Sequence, residues 1–113
     1  MAKKPARRIK RPTRHIYVVR LNEKVLKKKR FIARNPDYQG RDCVYVGLTS
    51  RSPEERFAQH KAGKRRSRFV QEFGIRLLPD LGRRTRKSYR IAERLEREWA
   101  ERLRAKGYAV WQN

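Results

Sequence analysis

Along the chain, apolar residues gather in short clusters separated by dense runs of Lys and Arg. The run 15–21 (HIYVVRL) is rich in β-branched and aromatic residues, which predicts a strand. Residues 41–48 (RDCVYVGL) predict a second strand, and 75–78 (IRLL), closed by Pro79-Asp80, a third. The clearest helix spans 52–62. Ser52 is placed to cap it, Pro53 suits its first position, Glu55 completes a capping box and Gly63 stops it. Residues 69–73 predict a short second helix ended by Gly74. A long final helix covers 89–106, capped by Ser88 and terminated by Gly107. In it Ile91, Leu95, Trp99 and Leu103 recur at helical spacing and should face the core.

The remaining segments lack such periodicity. Residues 1–14 hold seven Lys/Arg, two prolines and no acid, and read as a disordered basic arm. Residues 22–42 combine a short helical stretch near 23–30 with the turn signals Asn35-Pro36-Asp37 and Gln39-Gly40, and read as an inserted connection between the first two strands. Residues 81–87 read as a basic loop, and 108–113 are expected to close the chain against the sheet. The pattern gives one α+β domain, residues 15–113, with the first two strands forming an antiparallel hairpin with an elongated connection.

Composition changes this picture through charge. The 113 residues include 33 Lys+Arg against 11 Asp+Glu, a formal net charge of +22. Such self-repulsion destabilises a compact state unless a polyanion is near, and nucleic acid is the natural one; on composition a ribosomal-type RNA binder without chemistry fits equally well. An anionic membrane is disfavoured: there is no spanning segment, lipidation motif or broadly apolar amphipathic helix. The single cysteine, Cys43, excludes an intramolecular disulfide and lies in an apolar run as buried filler. The N-terminus lacks an apolar signal core, so the expected location is cytoplasmic, reducing and compatible with the nucleoid.

Zinc and nucleotide-loop motifs are absent: no CxxC, HExxH or Gly-rich phosphate loop occurs. The candidate chemistry is spread over Tyr17, Tyr45, Gly47, Arg56, His60, Glu96 and Asn113. Arg56 and His60, four apart on the capped helix, share a face that suits a scissile phosphate: Arg stabilises developing charge and His moves a proton. A solvated basic helix face accounts for them equally well when taken alone. Cross-strand packing would likewise explain Tyr17 and Tyr45, and simple helix formation Glu96. A lone carboxylate is nonetheless the minimum for a hydrolytic Mg²⁺ site when substrate phosphate supplies further ligands.

The order of these residues resembles the GIY-YIG endonuclease family. His15-Ile16-Tyr17 stands where the first triplet belongs, with His15 in place of its glycine. Tyr45-Val46-Gly47 matches the second triplet, and Glu55-Arg56-Phe57-Ala58-Gln59-His60-Lys61 resembles the family's Arg helix. Leu95-Glu96-Arg97-Glu98-Trp99-Ala100 resembles the metal-binding Glu segment, and Asn113 takes the place of the late asparagine. The resemblance spans 15–113 and is most specific over 45–60.

It implies a small three-stranded antiparallel sheet flanked by helices, and phosphodiester hydrolysis with one Mg²⁺ or Mn²⁺. Tyr17 or Tyr45 would activate water, Arg56 and His60 would bind and polarise the phosphate, Glu96 would ligate the metal, and Asn113 would order the site. Glu96 is preferred to Glu98 because Trp99 and Ala100 then follow at the two core positions. Lys24, Lys27, Lys28, Lys29 and Arg30 in the connection, with Lys61, Lys64, Arg65 and Arg66 after the Arg helix, are the expected nucleic-acid contacts. The competing readings are a non-catalytic DNA- or RNA-binding module on the same fold and an accessory subunit of a larger nucleoprotein complex. With no separate specificity module, targeting would fall to the arm or to a protein partner.

Overall fold

A computed structural model of the chain describes residues 12–64 and 67–112. The candidate residues Arg65, Arg66 and Asn113, and most of the basic arm, lie outside the described residues. The elements are β1 (Arg14–Leu21), α1 (Lys29–Ala33), β2 (Cys43–Thr49), α2 (Pro53–Lys61) and α3 (Arg68–Phe73). They continue with β3 (Gly74–Leu77), β4 (Arg83–Thr85), α4 (Tyr89–Ala105) and β5 (Ala109–Gln112). Single 3-10 turns at Glu23–Lys27 and Pro79–Leu81 precede α1 and β4. Among the described residues no helix is long and apolar enough to cross a membrane.

The expected three strands form, in the order β3-β1-β2 and mutually antiparallel. The sheet is larger than expected, however. It has five strands and is mixed: β5 adds to β2 in parallel, pairing Cys43–Val46 with Ala109–Gln112, and β4 pairs with β1 antiparallel at Arg14–Ile16. Both additions escaped the sequence pattern for a physical reason. Residues 83–85 (RRT) carry no apolar alternation; they extend because the backbone of β1 offers a free edge there. Residues 109–112 are too short to show a period, and they pair because Gly107 (φ +98°) lets the chain reverse at the end of α4.

Side-chain alternation sorts the sheet into two faces. Ile16, Val18, Val44, Val46 and Val110 pack against Trp99, Ala100 and Leu103 of α4. Tyr17, Val19, Leu21, Cys43, Tyr45 and Trp111 face Phe31 of α1 and Val70 and Phe73 of α3. The domain is therefore a three-layer sandwich with the sheet in the middle. On α4, Trp99 and Leu103 are buried as their spacing predicts, whereas Ile91 and Leu95 are only half-buried. Ala92, Glu96 and Ala100 are buried beside them, so the stripe facing the sheet is turned toward these positions and away from Ile91 and Leu95.

The connection 22–42 is not a simple insertion. Val25 and Phe31 are fully buried, each contributing about 1.5–3 kcal/mol by removal from water. Asn35, also buried, serves the outer edge of β5. Its Nδ2 donates to the Val110 carbonyl (3.1 Å) and to the Phe31 carbonyl (2.8 Å), while its Oδ1 accepts from the Val110 amide (2.6 Å). A side-chain amide thus replaces the next strand of the ladder, satisfying backbone groups that would otherwise be left unpaired at the edge.

Candidate active site

The helix that carries Arg56 and His60 is built locally. Ser52 Oγ accepts from the Glu55 amide (3.1 Å), and Pro53 opens the first turn. The reciprocal half of the capping box does not form; Glu55 turns instead to Arg51 (2.9 Å). At the other end, Lys61 Nζ donates to the carbonyls of Gln71 (3.2 Å) and Gly74 (3.0 Å). This bond ties α2 to the end of α3. Lys61 is therefore a structural tether through two of its three donors, while it stays exposed and keeps its charge.

So anchored, α2 lays His60 over the sheet face that carries both tyrosines. The Tyr17 hydroxyl and His60 Nε2 are hydrogen-bonded at 2.8 Å and buried. Ring centroids of Tyr17 and Tyr45 lie 6.0 Å apart, and His60 stands edge-on to Tyr45 at 5.6 Å. The three rings form one cluster drawn from β1, β2 and α2.

Gly47 makes the cluster possible. It lies directly opposite Tyr17 in the β1–β2 ladder. A Cβ on Gly47 would fall 2.7 Å from Tyr17 Cε1 and overlap the rest of the phenol. With hydrogen there, the Tyr17 ring lies flat across the neighbouring strand. His15, where the resembled family has glycine, keeps regular pairing with Thr49 and with Arg84 and does not disturb the strand.

Arg56 and Glu96 complete the arrangement. Both act through their charges on Tyr17 and Tyr45, Arg56 lowering and Glu96 raising the phenol pKa values. Burial dominates for both tyrosines, and each pKa is raised, Tyr17 the more strongly. The two are therefore neutral phenols at physiological pH, not tyrosinates. The Nε of Arg56 is buried without a hydrogen-bond partner among the described residues, as is Gln59 Oε1 one turn away. A buried donor of this kind costs about 1–3 kcal/mol until an acceptor meets it.

Glu96 is 7% exposed, whereas Glu98 points to solvent, as their spacing on the helix predicts. The ion pairs available to Glu98 with Arg94 and Arg102 do not form among the described residues. Desolvation pushes the Glu96 carboxyl up to about 7, and Glu93 adds to the rise; a hydrogen bond from Gln112 of β5 and the charge of Arg97 oppose it. The Gln112 contribution was not anticipated from sequence. A glutamine near a chain end has no signature until β5 is known to place it beside α4.

Among the described residues no three His, Cys, Asp or Glu side chains converge as a ready-made metal cage. A single carboxylate suits a hard divalent cation that keeps its waters and takes further oxygens from a phosphate, and does not suit zinc. Of the expected nucleic-acid contacts, Lys24, Lys27, Lys28, Lys29, Arg30 and Lys64 are exposed. Searches against protein-family models, curated proteins and solved structures find no match to this chain.

Proposed function

We propose that the chain is a divalent-metal-dependent endonuclease of GIY-YIG type, hydrolysing phosphodiester bonds in nucleic acid, DNA in preference to RNA. The observation that carries this reading is the cluster of Tyr17, Tyr45 and His60 on one sheet face, with the charges of Arg56 and of buried Glu96 acting on both phenols. These residues come from four separate elements, and packing alone gives no reason to bury an imidazole between two phenols, an Arg donor beside them and a carboxylate on α4. The three-stranded core β3-β1-β2, the Tyr17–Gly47 contact and the burial of Glu96 rather than Glu98 agree with the resemblance on which those residues were singled out.

In this reading the chain's own groups divide the work. The half-exposed guanidinium of Arg56 donates to a non-bridging oxygen of the scissile phosphate and stabilises charge as it develops. A water molecule attacks phosphorus, one P–O bond breaks, and the leaving alkoxide takes a proton from solvent water to depart as an alcohol. Tyr17, being a neutral phenol, is no base by itself. With the imidazole proton on Nδ1, its hydroxyl donates to His60 Nε2, so it passes the attacking water's proton on to His60 as the new P–O bond forms. Tyr45 holds the Tyr17 hydroxyl in line. Mg²⁺ or Mn²⁺, held by Glu96 and substrate phosphate oxygens, would supply Lewis-acid polarisation of the phosphate.

The test is single-turnover cleavage of branched, duplex and single-stranded substrates with Mg²⁺, with Mn²⁺ and with chelator. Cleavage that needs metal and disappears in Tyr17→Phe and Glu96→Gln, with folding intact by circular dichroism, supports the proposal. Binding without cleavage under every condition would assign the chain to the non-catalytic binding modules.

A further inference from the structure

A groove of about 490 Å³ lies between α1 and α3, outside the tyrosine–histidine cluster but touching it. Lys28, Lys29 and Arg30 line one side, and Arg68 with the ring of Phe69 the other. Trp111 of β5 forms the floor, directly across from Tyr45 in the β2–β5 ladder. Ser67 lines the same groove and hydrogen-bonds Tyr45. The groove is therefore continuous with the candidate active site through one side chain.

Its chemistry points to one class of occupant. Four cationic side chains face a single carboxylate, Glu72, which selects for anions. Phe69 is half-buried and held edge-on by Trp111 (centroids 4.6 Å, 69°) and by Phe31 (5.8 Å, 71°). It is a rigid aromatic surface with one side toward the groove. A cationic groove with a fixed aromatic platform is what an unpaired nucleotide strand requires, phosphate to the cations and base to the ring. The volume falls within the range of about 300–1,000 Å³ of small-ligand sites, which is room for a nucleotide. Accepting the nuclease reading above, we propose that this groove binds an unpaired strand flanking the scissile phosphate, so that the preferred substrate carries a single-stranded extension at a duplex junction.

The experiment is equilibrium binding of the full chain in chelator, by fluorescence anisotropy. The probes are a blunt DNA duplex and the same duplex bearing a short unpaired extension. The wild type should bind the extended probe more tightly. Phe69→Leu, which keeps apolar packing but removes the platform, should lose about tenfold on the extended probe, the loss expected of one stacked base, and leave the blunt duplex unchanged. Equal wild-type affinity for both probes, or an equal loss on both in Phe69→Leu, would overturn the proposal. If that variant does not fold, Lys28, Lys29 and Arg30, all exposed, are replaced together by Gln. The ratio of extended to blunt affinity should then fall toward one, and an unchanged ratio would overturn the proposal. Because no metal is present, the outcome is independent of cleavage. A chain that shows the preference but never cleaves keeps the groove and loses the nuclease reading; a chain that cleaves blunt duplex without preference does the reverse.

Discussion

Glu96→Gln should stabilise this protein, and by an amount that depends on pH. In the fold the Glu96 carboxyl has its pKa raised from 4.5 to about 7. Between those values the folded state keeps a proton that the unfolded chain has released. The carboxyl therefore costs nothing well below pH 4.5, and its cost grows as pH rises toward 7 and levels off above about 8. Linkage converts the shift into about 1 kcal/mol at pH 5 and about 3 kcal/mol at pH 8.5. Glutamine keeps the shape and the hydrogen bond to Gln112 but carries no charge, so it removes that cost. The charges acting on Glu96 are Glu93 and Arg97 on its own helix, and Arg56 and Glu96 act together on Tyr17 and Tyr45. Glu93, Arg97 and Arg56 remain in the variant; only the charge of Glu96 is lost.

The assay is urea unfolding of both proteins, followed by tryptophan fluorescence from pH 5 to 8.5 in chelator. The gap between variant and wild type should widen by about 2 kcal/mol over that range. Millimolar Mg²⁺ at pH 8.5 should then stabilise the wild type and leave the variant unmoved, because only the wild type presents a carboxylate to bind it. A gap that does not change with pH, or a variant less stable throughout, would mean that the carboxylate is well solvated and the desolvation argument wrong. Equal stabilisation of both proteins by Mg²⁺ would remove Glu96 as the metal ligand.

Three further outcomes are expected. Gly47→Ala should cost about 1–3 kcal/mol in urea unfolding, since the new Cβ must push the Tyr17 ring aside in a packed sheet face; it should also break the Tyr17–His60 bond, seen as a changed His60 imidazole shift by NMR. Asn35→Ala should cost about 1–3 kcal/mol, because it orphans the Val110 amide at the β5 edge, whereas the Val110 carbonyl keeps its bond from Arg104 Nη2 (2.9 Å); hydrogen exchange at the Val110 amide should accelerate well before global unfolding. Binding to duplex DNA should fall with salt at a log–log slope of about −5 if roughly 6 phosphates are engaged.

By itself the sequence determined the elements with strong local signals. The three apolar strand runs, the Ser52- and Ser88-capped helices and the stop at Gly107 depend on neighbours a few residues away, so their codes are local. The orientation of Glu96 inward and Glu98 outward follows from helical period alone. The order of Tyr17, Tyr45, Gly47, Arg56, His60 and Glu96 was also legible, but only as a resemblance; no local rule makes them meet. The tertiary structure alone decided the rest. Strands β4 and β5 form because existing edges offer hydrogen bonds, not because RRT or AVWQ favours extension. Asn35 looked like a turn residue and is an edge cap, since its partner Val110 is 75 residues away. Lys61 gained a second role as a tether only when the fold placed the Gln71 and Gly74 carbonyls beside it. Trp111 and Gln112 became neighbours of the candidate site only when β5 paired in parallel with β2, an event governed by contacts across the whole chain that no window of sequence contains.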